Sequence, residues 1–184
     1  DLNKKHQQQG KLELLEKRNQ IYSSRLRRNF LKELLNSNLR NEELEEGFLY
    51  SEMSQEVDNY SVLLFKFDGV SENSISYREE EKKLIIFAVD NITTEYCTAH
   101  ETGYSWVNPD TLECYLLATG NTPLSEDMLL SIAEDTKEAL YKISGLIKTT
   151  ISCGIGSIET EASNIILSCL NAKKAISYKK EEDE

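Results

Sequence analysis

Apolar residues recur at helical spacing through the first part of the chain. From about Leu12 to Leu35 they fall three or four positions apart, and no Gly or Pro lies between Gly10 and Gly47, so the pattern predicts one long helix. The near-heptad spacing leaves two alternatives open, packing on the chain's own domain or weak parallel pairing with a second copy. The stripe on which both alternatives depend is Leu15, Tyr22, Leu26, Phe30 and Leu34.

A shorter helix and a strand follow. Residues 36–38 read Asn-Ser-Asn and interrupt the long helix, after which Asn41 is expected to cap a helix that reaches about Met53. Residues 61–67 form a β-rich run that ends at Asp68-Gly69, and its near-continuous apolarity predicts a central strand covered on both faces.

The middle of the chain predicts a helix and a hairpin. Ser76 and Glu79 have the spacing of a capping box at the start of the helix. The strands 104–107 and 112–118 flank the turn formers Asn108-Pro109-Asp110-Thr111, which predicts an antiparallel hairpin. The expected apolar stripe of the helix, with Ile85 and Val89 beside it, is Leu84, Ala88, Ile92 and Tyr96.

Three further elements complete the predicted order. A helix begins at Thr122-Pro123 and stops at Gly145, and residues 148–155 form a strand. A last helix starts near Glu161, and the acidic tail 181–184 is expected to fray. The positions expected to be buried in these two helices are Leu130, Ala133, Leu140, Ile143, Ile165, Cys169, Ala172 and Ile176. The core order is strand, helix, hairpin, helix, strand, helix, which indicates an α+β, ferredoxin-like arrangement over 57–184 preceded by a helical linker region over 1–56.

Charge divides the chain after about residue 40, within the predicted linker region. The 184 residues carry a net charge of -11, but the first forty contain ten basic and four acidic residues, so the remainder is strongly acidic. An acidic domain is not expected to bind DNA directly, and the basic helix is interpreted as a solvated face. With no initiator Met, the chain is expected to be a piece of a longer protein.

Cysteine usage and hydropathy suggest a compartment. Cys97, Cys114, Cys153 and Cys169 form no Cys-x-x-Cys pair and sit in apolar runs, as free buried thiols do in a reducing environment. No apolar run is long enough to span a membrane. A cytoplasmic location is therefore expected.

Several strings resemble a known family over about residues 26–178. Residues 84–92 read LIIFAVDNI and are followed by Glu95; residues 150–156 read TISCGIG; and residues 169–178 contain CL-x-AKKAI-x-Y. Together with RNFLKELL at 28–35, they resemble the nucleotide-cyclase-type fold of GGDEF domains, and more closely the degenerate GGDEF-like middle domain of YesN-type response regulators of the AraC family.

The catalytic pieces of the active family are altered here. Lys66 stands where the resemblance places the first metal-binding Asp, which leaves only Asp68 in that motif. Asn108 and Pro109 replace the two glycines that admit a guanine nucleotide, and Asp110 remains in the turn. Residues 99–102 read Ala-His-Glu-Thr in place of the Arg-x-x-Asp motif that binds the cyclic product. These departures predict a chain that is not an enzyme and needs no metal or cofactor.

The resemblance implies a function in transmission. It predicts a non-catalytic regulatory domain that lies between a receiver domain and a helix-turn-helix domain of the same full-length chain. The long helix would alter the relation between two protomers and therefore the spacing of their DNA-binding domains. Two alternatives stay open: a sensor that binds a small molecule or nucleotide in the vestigial cyclase cleft, formed by Lys66, Asp68, Asn108 and Asp110, and a weakly active cyclase.

Overall fold

The computed structural model describes residues 2–70, 76–143 and 147–182, with side chains through Tyr178. Gly145, Asp183 and Glu184, which enter the predictions above, lie outside the described residues. In chain order the described elements are α1 (Leu2–Asn36), α2 (Asn41–Ser51), β1 (Asn59–Phe67), α3 (Glu79–His100), β2 (Gly103–Val107), β3 (Cys114–Gly120), α4 (Glu126–Tyr141), β4 (Ile151–Ile155), a 3-10 turn (Ala162–Asn164) and α5 (Ile165–Glu182).

The four strands form one antiparallel sheet in the order β2-β3-β1-β4. The α+β class is therefore confirmed, and so is the central position of β1, which pairs with β3 on one side and β4 on the other. Its interior residues are buried on both faces, as the run of apolar residues predicted.

Each face of the sheet carries its own apolar core. Leu63 and Phe65 point to the face covered by α3 and α4, where they pack with Ile85 and Leu129. Their neighbours in β1 point to the opposite face, which α5, α2 and the C-terminal part of α1 cover. That second core includes Phe30, Leu34, Phe48, Val62, Leu64, Cys169, Ala172 and Ile176.

Close approach of α5 to the sheet explains two glycines at the end of β4. A Cβ on Gly154 would lie 2.1 Å from the carbonyl oxygen of Ala172, and one on Gly156 would lie 2.1 Å from that of Ser168. The Ser168 hydroxyl accepts a hydrogen bond from the Val62 N–H group at 2.9 Å. The predicted burial of α5 on this face is confirmed at all four positions.

Helix starts were predicted less accurately than helix existence. α1 begins at Leu2, ten residues before the first apolar position used to predict it. Asn41 is the first residue of α2 and not its cap; the cap is Arg40, whose N–H group donates to the Glu43 carboxylate at 2.8 Å. α2 ends at Ser51 rather than Met53.

The predicted starts of α3 and α4 were also wrong. α3 begins at Glu79 with Arg78 as its cap, so Ser76 and Glu79 form no capping box. In α4 the cap is Ser125, which accepts from the Met128 N–H group at 3.2 Å, and the Thr122-Pro123 pair precedes the helix.

Strand ends and buried stripes need smaller corrections. β4 is shorter than predicted, whereas β3 is shifted by two residues toward the C-terminus. The buried stripe of α3 is Ile85, Val89, Thr93 and Cys97, whereas Leu84 is exposed. Leu130 of α4 is exposed as well. α5 continues through Glu182, two residues into the tail that was expected to fray.

Candidate functional site

The end of β1 and the hairpin turn lie at the same edge of the sheet. The register pairs Phe65 of β1 with Cys114 of β3, and Cys114 with Val107 of β2. Residues 108–113 therefore connect β2 to β3 beside the point where β1 leaves the sheet. This arrangement places Lys66 beside the hairpin, whereas Asp68 follows the end of β1 on the side of β4.

Lys66 is held by a carboxylate of the hairpin. Its Nζ atom lies 4.0 Å from Oε1 of Glu113, and both side chains are about one-fifth exposed. Glu113 in turn accepts hydrogen bonds from the Tyr115 hydroxyl at 2.8 Å and the Thr111 hydroxyl at 3.2 Å. The carboxylate of Glu113 is therefore paired with a lysine at the end of β1.

Asp68 is engaged by hydroxyl groups of β4 and the loop before it. The two oxygens of its carboxylate accept from the Thr150 and Ser152 hydroxyls, each at 2.5 Å, and its carbonyl oxygen accepts from the Thr149 hydroxyl at 2.6 Å. Its N–H group donates to the Thr150 carbonyl at 3.0 Å. These bonds give the carboxylate a structural role at the junction of β1 and β4.

The hairpin turn is closed by its own side chains. The Asn108 side-chain oxygen accepts from the Asp110 N–H group at 3.0 Å, an arrangement typical of Asx turns. Leu112 adopts a left-handed conformation with φ of 58° and is buried, whereas Pro109 and Asp110 are exposed. The carboxylate of Asp110 therefore points to solvent at the tip and is not part of a ligand set with Asp68.

An aromatic group lies beside this polar cluster on the α5 face. Trp106 stacks on Tyr115 with ring centroids 5.5 Å apart, and Lys173 of α5 lies 5.7 Å from the Tyr115 ring centre. Burial, reinforced by the hydrogen bond to Glu113, raises the pKa of Tyr115 well above its ordinary value of 10.0. The Tyr115 hydroxyl therefore stays protonated and fixes the orientation of Glu113.

Sequence analysis did not identify the residues that bond to the predicted cleft residues Lys66 and Asp68. Glu113, Tyr115, Thr150 and Ser152 supply the partners of Lys66 and Asp68. Ser152 lies directly opposite Lys66 in the register of β1 and β4. This position could have been predicted only if β1 and β4 had been known to be neighbouring strands. In the part of the chain that the structure describes, no group of three or more His, Cys, Asp or Glu side chains is placed to hold a metal ion.

The stripe of α1 is divided between two environments. Phe30 and Leu34 are buried in the second core, and Leu26 is partly buried. Leu15 and Tyr22 are 45% and 66% exposed. The first alternative, packing on the chain's own domain, therefore holds for the last part of the helix, while the exposed part remains available for pairing.

A cavity of about 570 Å³ separates α1 from α3 at the start of β2. Ser24, Arg27 and Leu31 line it from α1, Thr98 lines it from α3, and Glu101 lines it from the cap at the end of α3. Arg28 of α1 reaches across to Asp90 of α3, with 2.5 Å between Nη2 and Oδ2. The cavity is separate from the cleft at the hairpin turn.

The four cysteines are unpaired, as predicted. Burial raises the pKa of the Cys97 thiol to about 11 and that of Cys153 to about 12. It also raises the pKa values of Cys114 and Cys169. These thiols are therefore protonated near neutral pH and are poor nucleophiles.

No protein-family model matches the chain, and neither the curated proteins nor the solved structures contain a match. The resemblance to GGDEF-like domains therefore stays a prediction. Among the described residues, no helix combines the length and the apolar character that crossing a membrane requires.

Proposed function

We propose that this chain is a non-catalytic regulatory domain that transmits a signal within a cytoplasmic two-component response regulator of the AraC family. In this proposal its fold is the ferredoxin-like, nucleotide-cyclase type, and it descends from a GGDEF-like domain. The order of elements and the β2-β3-β1-β4 sheet are compatible with that fold. Its partners would be the receiver and helix-turn-helix domains of the full-length chain.

The observation that carries the proposal is the ion pair between Lys66 and Glu113. In a cyclase, carboxylates at this edge bring divalent metal ions to a triphosphate. Here a lysine occupies the end of β1, and the nearby carboxylate of Glu113 is directed at the lysine. The hydroxyl groups of Thr150 and Ser152 engage Asp68, so this carboxylate also has a structural role.

The activity test is incubation of the protein with GTP and either Mg²⁺ or Mn²⁺, with a boiled sample as the control. We expect no cyclic dinucleotide above that control. Replacing Asn108 and Pro109 with glycine should still give none, because Lys66 remains. Turnover by the unaltered protein would overturn the proposal, and turnover by the glycine variant would show that the hairpin alone abolished activity.

The regulatory role is tested by the coding sequence on either side of this segment. A receiver domain upstream and a helix-turn-helix domain downstream would support the proposal. Flanking sequence that encodes neither domain would contradict it, whatever the outcome of the activity test.

The exposed part of α1 supports a weak parallel dimer in the same proposal. Leu15 and Tyr22 lie on one face at heptad spacing, with Asn19 between them in the seam. An asparagine in the seam lowers the stability of a coiled coil but specifies its register. A parallel dimer would direct both domains the same way, as a regulator with two DNA-binding domains requires.

Sedimentation equilibrium tests the dimer. We expect Leu15→Glu combined with Tyr22→Glu to abolish self-association, because charge would enter the seam of both helices. Leu130→Glu is the matched control, because Leu130 is also an exposed leucine but belongs to α4 and not to the stripe of α1. A strict monomer at every accessible concentration, or a dimer that survives the paired substitution, would contradict this part of the proposal.

A further inference from the structure

The cavity between α1 and α3 contains a positioned arginine on one wall. The Nε–H group of Arg27 donates to the carbonyl oxygen of Ser51 at 3.2 Å, and its guanidinium lies 5.5 Å from the centre of the Tyr104 ring. These two contacts come from different elements and fix the direction of the side chain. Arg27 is also partly buried, so its charge is not fully solvated.

Arg27 forms no ion pair with any carboxylate among the described residues. This is notable in a chain with 32 acidic and 21 basic residues. The neighbouring Arg28, by contrast, is paired with Asp90. The guanidinium fork of Arg27 is therefore available to a carboxylate that enters the cavity, and this geometry favours two parallel hydrogen bonds.

The opposite wall has the opposite charge. Glu95 of α3 and Glu101, which caps the end of that helix, both line the cavity and are exposed, and neither forms an ion pair among the described residues. Together with the paired Asp90, they give the lining three carboxylates against two guanidinium groups. A polyanion such as a nucleotide triphosphate would meet net repulsion here, whereas a molecule with one charge of each sign would not.

Polar uncharged groups occupy the rest of the wall. Hydroxyl groups of Ser24, Thr94, Thr98 and Ser105 line the cavity, and Leu31 contributes apolar surface. Gly103 and Ser105 belong to the edge strand β2, whose outer side has no neighbouring strand. A volume of about 570 Å³ lies within the range of small-molecule sites.

We propose that this cavity binds a small zwitterion of the free amino acid class. The ligand carboxylate pairs with Arg27 on α1, and its ammonium group faces Glu95 on α3 and Glu101 at the cap of α3. The ligand thereby connects α1 to the sheet and α3, next to the existing ion pair of Arg28 and Asp90. This inference goes beyond the proposed function, because a transmitting domain needs no ligand at this position.

Isothermal titration calorimetry of the intact chain with the individual proteinogenic amino acids tests the site. At least one amino acid should bind at concentrations up to about 10 mM. Its decarboxylated amine and its N-acetyl derivative should each bind at least about tenfold more weakly, because each lacks one of the two charges. GTP serves as the polyanionic comparison and should not compete.

Substitutions in the cavity test where the amino acid binds. Arg27→Gln should weaken the affinity by about tenfold or more, and Arg27→Lys should restore it only in part because lysine lacks the fork. Arg25→Gln is the matched control, since Arg25 lies on the same helix but outside the lining. Glu95→Gln with Glu101→Gln changes two exposed residues and should weaken binding without affecting folding.

Hydrogen exchange adds a readout of position. The bound amino acid should slow exchange in residues 24–31 of α1 and in residues 94–101, at the end of α3 and its cap, relative to the free protein. Three results would overturn the inference: no amino acid binds, binding is unchanged in both the Arg27 and the glutamate variants, or GTP displaces the bound amino acid. None of them bears on the cyclase test, so failure here leaves the proposed function standing.

Discussion

The division of the α1 stripe predicts a sharp contrast between substitutions in one helix. Phe30 is only 5% exposed and meets the Phe48 ring edge to face, with centroids 5.1 Å apart at 79°. Truncation of a buried Phe to Ala costs about 3 to 5 kcal/mol, and the lost aromatic pair accounts for about 1 kcal/mol of this cost. We therefore expect Phe30→Ala to lower the free energy of unfolding by about 4 kcal/mol.

The assay uses the single tryptophan. Trp106 lies in β2, is 9% exposed and belongs to the same core as Phe30. Its fluorescence reports loss of the sheet during urea unfolding, while circular dichroism reports loss of the helices. If α1 unfolds together with the sheet, Phe30→Ala shifts both transitions to lower urea by the same amount.

The matched control is Tyr22→Ala in the exposed part of the same helix. Tyr22 is 66% exposed, so its removal should change the free energy of unfolding by about 0.5 kcal/mol or less. The reasoning is refuted if Phe30→Ala leaves the Trp106 transition in place and shifts only the helical signal. That result would mean that α1 unfolds independently of the sheet.

Three further predictions follow from packing, burial and charge. Gly47→Ala should lower the free energy of unfolding, measured by urea denaturation, by about 1 to 3 kcal/mol, because the new Cβ would lie 1.9 Å from the Phe30 ring. Equal or greater stability would contradict the close packing of α2 on Phe30. Burial raises the pKa of Cys97 from 9.0 to about 11, so the free energy of unfolding should fall as pH rises from 9 to 11. The fall should be smaller in Cys97→Ala; an equal dependence on pH in both proteins would contradict the raised pKa of Cys97. The chain should not bind DNA sequence-selectively in a gel-shift assay at physiological salt, and any residual binding should be weak and salt-sensitive, because its net charge is -11; selective binding would contradict the charge argument.

Strand identity followed from the sequence because each strand carries its own strong local signal. Residues 61–67 are almost wholly apolar, and such a run is buried on both faces only in the middle of a covered sheet. The turn formers at 108–111 predicted the hairpin, and the structure pairs β2 with β3 around them. The four buried positions of α5 were also correct, although Leu167 and Leu170 on the same helix are apolar and exposed.

The stripe of α3 was misjudged because two adjacent stripes are both apolar. One contains Leu84 and Ile92, and the other contains Ile85 and Val89, so periodicity alone cannot choose between them. The sheet selects the second, which includes Thr93. A threonine is tolerated there because its hydroxyl donates to the Val89 carbonyl at 2.8 Å within the helix.

Sequence analysis named Lys66 and Asp68 as candidate site residues, but it did not identify the side chains that bond to them. The register that places Glu113 beside Lys66, and Ser152 opposite it, follows from the order of strands in the sheet. Residues so far apart along the chain give no local sign of contact. The chemistry of Asp68 therefore required the structure, which surrounds its carboxylate with hydroxyl groups.

The anchoring of α1 limits how this domain could transmit a signal. Lifting α1 from the sheet would expose Phe30, Leu31, Leu34 and Leu35, all nearly inaccessible to solvent, and would break the ion pair of Arg28 with Asp90. Each buried side chain contributes about 1.5 to 3 kcal/mol, whereas coupling between sites is typically about 1 to 3 kcal/mol in total. Complete undocking of α1 thus exceeds what such a signal supplies. If the proposed function is right, a signal that reaches the exposed end of α1 would turn α1 and the sheet as one body, and the response of the proposed dimer would arise where Leu15 and Tyr22 meet a second copy.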